Sequence, residues 1–360
     1  MLRFTHYTLA AASITLALFG CHDAAAPQDA AGPLGARPTI SAEDVLPPVV
    51  PRIVAPISTD PAIDRALDDH YVWLDPTAPS NHKLFVFMPS AGAVPGQFQN
   101  VEQEAARLGY HVIGLMYPNS VNLVGACRDT ADPNACYEAA RLEILEGTPE
   151  GTPLSPVVDV NPTNSIENRL TKLLQYLVDH TPPDEGWSRF LADDKLKWSQ
   201  IAVGGHSQGG GEAAIIAKLH VVARVVLFSA VPDRIGTQTQ SVTWVATHVT
   251  PTERYWGLVH ADDGGFGPMR ASWDSLGMAA FAPAVAPETS APPYGFTHML
   301  VTHLNPQPVE SGCVAPNREH KSTARDDCAP LSLRDAWRYL LTAREPDEDD
   351  TEADEEAHED

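Results

Sequence analysis

Positive charge is scarce in this chain. Its 360 residues hold 24 Lys and Arg against 47 Asp and Glu, a formal net charge of -23. Without a basic face, nucleic acid is excluded as a partner. There is no internal repeat and no H-E-x-x-H pair to hold a catalytic metal. The apolar run at residues 8–19 is too short to span a bilayer as a permanent helix. Cysteine is sparing, with five in all. What is present is an ordinary core-forming mixture, 43% hydrophobic and 20% charged, which excludes global disorder.

The apolar run follows Arg3 and ends in Leu18-Phe19-Gly20-Cys21, with the length of a signal-peptide core. Leu-x-Gly-Cys at this place resembles the bacterial lipobox. That resemblance implies a signal peptide at 1–20 cut before Cys21, which becomes a lipid-bearing N-terminus. His22 after the cysteine, rather than Asp, implies the outer membrane, facing periplasm or exterior. The alternative is an ordinary signal peptide cut nearby. Once Cys21 is set aside, Cys127 with Cys136 and Cys313 with Cys328 remain as two pairs close in sequence. In an oxidising compartment these spacings predict two disulfides.

Residues 21–62 are rich in Ala and Pro, with prolines at 27, 33, 38, 47, 48, 51, 56 and 61. The segment reads as a tether that holds no helix or central strand. One folded domain is expected over 63–343, followed by an acidic, disordered, solvated tail at 344–360. Past Arg344 that tail carries eleven carboxylates and no Lys or Arg.

Within the domain, short β-rich runs alternate with helical patterns. Strands are expected at 83–88, 111–117, 200–204, 223–229, 255–260 and 297–304, and helices at 98–108, 208–220 and through Trp337. Asn164-x-x-Glu167 reads as a capping box ahead of the Ile166, Leu170, Leu173, Leu174, Leu177 stripe of an amphipathic helix. The alternation predicts an α/β fold: a mostly parallel twisted sheet with helices on both faces.

Gly205-His206-Ser207-Gln208-Gly209 fits G-x-S-x-G. A strand is expected just before it and a helix just after it, the setting this motif requires. The need is steric: a nucleophile displayed on a sharp turn wants small neighbours two positions either side. With Gly204, Gly210 and Gly211 flanking it, this stretch resembles the α/β-hydrolase superfamily, and exported bacterial hydrolases in particular. The resemblance covers about residues 63–343 in element order, and only the turn is sharply diagnostic.

The resemblance implies the chain order Ser, acid, His, with Ser207 as nucleophile. The acid belongs just past the strand at 255–260. Asp263 has room to turn back toward a histidine, Asp262 stands beside it, and Asp233 is a further candidate. A metal site of His260, Asp262 and Asp263 lacks any supporting ligand pair. Among fourteen histidines, His320 lies in the loop after the last strand and inside the Cys313 to Cys328 span. His303 sits where that strand ends, and His298 within it. Two backbone donors for an oxyanion are expected at Gln208 and at Ala91, with Ser90 the alternative.

The expected activity is a Ser-His-Asp hydrolase of carboxylic esters, esterase-like, with no cofactor and no metal. Its expected partners are a small-molecule or polymeric ester and, through the acyl anchor, a lipid bilayer. Peptidase, thioesterase and polyester-depolymerase activities stay open, as does a non-catalytic binding or structural protein on the same scaffold. Only about 25 residues separate 229 from 255, too few for a large cap, so an open cleft is expected. The segment 119–163 is a candidate wall.

Overall fold

Short strands of Val, Ile, Leu and Phe alternate with helices along the chain. The computed structural model describes residues 49–237 and 240–344. It opens with β1 (Arg52–Val54), α1 (Pro56–Thr59), β2 (His70–Trp73), β3 (Leu84–Met88), α2 (Gln99–Arg107) and β4 (His111–Gly114). Then follow α3 (Leu123–Cys127), α4 (Pro133–Glu146), α5 (Ile166–His180), β5 (Leu191–Ala192) and β6 (Lys195–Leu196). The second half runs β7 (Ile201–His206), α6 (Gln208–Leu219), β8 (Arg224–Phe228), β9 (Tyr255–His260) and α7 (Phe266–Ser275). It closes with β10 (Met299–Thr302), α8 (Arg318–Lys321) and α9 (Arg334–Thr342).

Eight strands form one sheet in the order β1-β2-β4-β3-β7-β8-β9-β10. From β4 to β10 every neighbour is parallel, and only β2 is reversed, antiparallel to β1 on one side and to β4 on the other. Side chains alternate across a strand, and here both faces are dry. Leu84, Val86 and Met88 of β3 join a core with Ala140 and Ile144 of α4, Leu170 to Leu177 of α5 and Ile216 of α6. Phe85 and Phe87 point the other way, into a second core with Val101 and Ala105 of α2 and Trp337 and Leu340 of α9. Covered on both faces, β3, β7 and β9 are buried end to end, and they are apolar except for the histidines that close β7 and β9, His206 and His260. The expected α/β architecture is present, a mostly parallel sheet covered on both faces and compatible with the α/β-hydrolase fold.

Three expectations need correction. The tether reading of 21–62 fails at its far end, because Arg52–Val54 pairs with β2 and Pro56–Thr59 is a single helical turn. The folded chain thus begins before Ile63. The prolines are tolerated because β1 is a three-residue edge strand and Pro56 sits at the first position of its helix. The capping box is also displaced: Ser165 caps α5 by accepting from Asn168 N at 3.2 Å. Asn164 instead accepts from Asp64 N and Arg65 N, tying the segment before β2 to the start of α5. Finally, α4, fourteen residues with Asp132 as its cap, lies in a stretch expected only as a wall.

Both disulfides are present, Cys127–Cys136 and Cys313–Cys328, and they fit an oxidising, exported setting. No helix of the described residues is long and apolar enough to cross a membrane. Cys21, the signal peptide expected at 1–20, the expected tether up to residue 48 and the expected tail from 345 lie outside the described residues.

Candidate active site

The parallel strands all end on one side of the sheet, where a crevice is expected in open α/β folds. A cavity of about 480 Å³ lies there, and Ala91, Ser207, Gln208, Asp263 and His320 all line it. Residues from four separate loops therefore converge on one space.

Ser207 stands between β7 and α6 with φ 55° and ψ -115°, a conformation that costs a non-glycine residue energy. Neighbouring structure enforces it: Ser207 N donates to Phe228 O at 2.9 Å. A Cβ on Gly205 would lie 2.5 Å from Met88 O, and one on Gly209 only 2.0 Å from the same oxygen. The motif glycines are thus demanded by the close approach of β3 to the turn.

Asp263 and His320 meet directly. Asp263 Oδ2 lies 2.6 Å from His320 Nδ1, while Asp263 Oδ1 accepts from Gly265 N at 2.8 Å. Burial alone would raise this carboxyl. The hydrogen bond and charge of His320, with the Gly265 amide, more than offset that and hold it below its ordinary value. Asp263 also fixes which His320 nitrogen carries hydrogen, leaving Nε2 free to accept. Among the described residues no hydrogen bond joins Ser207 Oγ to His320, though both line the same cavity. Contacts of this kind commonly tighten once substrate is bound.

The competing candidates have other roles. Asp262 is exposed, and its N–H donates to His260 Nδ1 at 3.0 Å. His260 Nε2 bonds Leu304 O, so both ring nitrogens are occupied by backbone. No group of three or more metal-type side chains is assembled among the described residues. His303 is exposed at the end of β10, with its N–H donating to Glu288. His298 is buried, stacked on Trp256 and Phe281, with Nδ1 on Tyr255 O.

The amides of Ala91 and Gln208 donate to no other group among the described residues. Gln208 N is the first of the helix's unsatisfied donors. The loop carrying Ala91 is fastened by Asn119, whose Nδ2 donates to Ser90 O and Ala93 O at 2.8 Å each. Asn119 escaped the sequence reading because one buried amide leaves no periodic trace.

His320 lies on α8, within the disulfide loop, but the cross-link does not work alone. Thr323 Oγ1 meets Ser229 Oγ at 3.0 Å and Trp337 Nε1 donates to Thr323 O. Asp326 accepts from Gln99 N and Asn100 N at the start of α2. His206, the residue before the serine, bonds His320 O through Nε2 at 2.7 Å. Burial and the neighbouring His320 lower the His206 ring to about 3, so it stays neutral and donates. This strut was hidden in a variable position of the motif.

Behind the turn sits a buried charge cluster. Arg141 gives its fork to Asp233 at 2.5 and 2.8 Å, and its Nη1 also reaches Glu212 Oε1 and Gln208 O. Asp233, the third acid candidate, is thus spent on Arg141 and on Trp244 Nε1. Two carboxyls share one guanidinium, and burial, only partly countered by Arg141, raises Glu212 to about 8. Gly211 leaves room for this guanidinium, which would lie 2.2 Å from a Cβ there. No protein-family profile matches the chain, and no curated protein matches it.

Proposed function

We propose that the chain is a serine hydrolase of carboxylic esters. Ser207 Oγ attacks the ester carbonyl as His320 Nε2 takes its proton. The tetrahedral oxyanion rests on the Ala91 and Gln208 amides, and collapse expels the alcohol, which receives the proton from His320. Water then attacks the acyl-Ser207 ester, again with His320 as base, releasing the acid and restoring the serine. Asp263 orients the imidazole throughout. The observation that carries this reading is the 2.6 Å bond between Asp263 and His320 in the cavity lined by a serine on a strained strand-to-helix turn.

The same reading extends to location. Leu18-Phe19-Gly20-Cys21 makes the mature chain a lipoprotein anchored through Cys21, exported to a compartment where two disulfides persist.

A fluorophosphonate probe tests the nucleophile. Labelling of the wild type that disappears in Ser207→Ala, together with loss of 4-nitrophenyl ester turnover, is the expected result. A folded wild type that stays unlabelled would instead favour a binding protein on this scaffold.

A further inference from the structure

We propose that the cavity takes esters bearing a second, anionic group, and that Arg234 receives that group's carboxylate. The inference rests on the hydrolase reading and names the substrate class of the same site. Acidic residues outnumber basic ones about two to one in the whole chain, yet the cavity reverses this. Five cationic side chains, Arg128, Arg141, Arg234, Lys321 and Arg325, line it against one carboxylate, Asp263.

Most of these charges are already matched. Arg141 is held by Asp233 and Glu212, Arg128 lies against Asp129, and Arg325 lies against Asp327. Lys321 Nζ donates to Val314 O, and Asp263 belongs to His320. Arg234 is different. Among the described residues its guanidinium has no carboxylate and no hydrogen-bond acceptor, and its Nε is shielded from water without a partner.

A shielded donor without an acceptor is costly, and an incoming acceptor relieves the cost. A planar guanidinium fork matches a carboxylate in two parallel bonds. Among the described residues Arg234 is the one guanidinium of the cavity without a carboxylate, and a single planar fork fits a single carboxylate. Leu123 and Val124 also line the cavity and offer apolar side chains to a short carbon chain between the ester and that carboxylate.

The test compares 4-nitrophenyl hydrogen adipate with 4-nitrophenyl hexanoate, acyl groups of equal length that differ in the terminal carboxylate. The wild type should favour the adipate hemiester by about tenfold or more in kcat/KM, carried by KM. Raising ionic strength should erode the preference. Arg234→Met should bring the ratio near one, and Arg234→Lys should keep part of it. The wild-type ratio, its salt dependence and the Lys variant test the inference even if Arg234→Met does not fold. Cleavage of hexanoate with no preference for the hemiester, or a preference untouched in both variants, overturns the inference and leaves the nucleophile assignment standing. Failure of both esters together with absent fluorophosphonate labelling overturns the hydrolase reading, and this inference with it.

Discussion

At the scale of single residues, the two adjacent aspartates separate cleanly. Asp263 is buried against His320, whereas Asp262 points its side chain to solvent. Asp263→Asn should lower kcat by about 10³- to 10⁴-fold, because the imidazole loses the acceptor that sets its tautomer. Asp262→Asn should change it by less than about threefold, as exposed substitutions usually do; steady-state turnover of a 4-nitrophenyl ester distinguishes the two. A second prediction concerns Glu212. The folded chain keeps its proton up to about pH 8, while the unfolded chain releases it near the ordinary carboxylate value. The native state therefore binds more protons in that window, and this group's contribution falls as pH rises, by up to about 1.4 kcal/mol per unit. Glu212→Gln should keep the bond from Arg141 and flatten that part of the profile, read from urea midpoints between pH 5 and pH 7.5. Ser207, Asp263 and His320 were legible because chain order and strand ends constrain them. Arg141, Asn119 and His206 were not, since each acts through a tertiary contact with residues distant in sequence.

Among the elements, the loop that carries His320 is held twice over, by Cys313–Cys328 and by contacts of Thr323 and Asp326. The Cys313→Ser, Cys328→Ser variant should lose about 3 kcal/mol of stability on the loop-entropy account. Because the packing contacts remain, kcat/KM should fall by less than about tenfold. Thermal unfolding and ester turnover of the same preparation check both parts. Strands of the central sheet were readable as unbroken apolar runs, and β9 was expected over the residues it occupies, 255–260. Helix α4 was not readable, since its buried residues include Arg141 and Glu143 beside Tyr137 and Ile144, which blurs the apolar stripe. The Asp132-Pro133 start was the available signal, an N-cap followed by proline at the first helical position. Edge strand β1 was masked by the prolines on either side of it, which exclude a central strand but permit an edge.

For the molecule as a whole, layer architecture followed from composition and alternation, because a parallel sheet has to be covered twice. What decides function is where the strand ends lead. On the hydrolase reading proposed above, the loops after β3, β7, β9 and β10 would supply the amide donor, the serine, the acid and the base. The segment between β4 and α5 supplies a wall of the cavity and two braces, Asn119 on the Ala91 loop and Arg141 on the turn after Ser207. That wall is tied in at two points: α3 is cross-linked to α4 through Cys127–Cys136 and meets the turn after Ser207 where Leu123 N donates to Gln208 Oε1 at 3.1 Å. A directed-evolution library confined to residues 124, 125 and 128, which line the cavity outside both ties, would recast the contour of the cleft while the sheet, Ser207, Asp263 and His320 stay as they are, making these positions the natural entry point for new specificities.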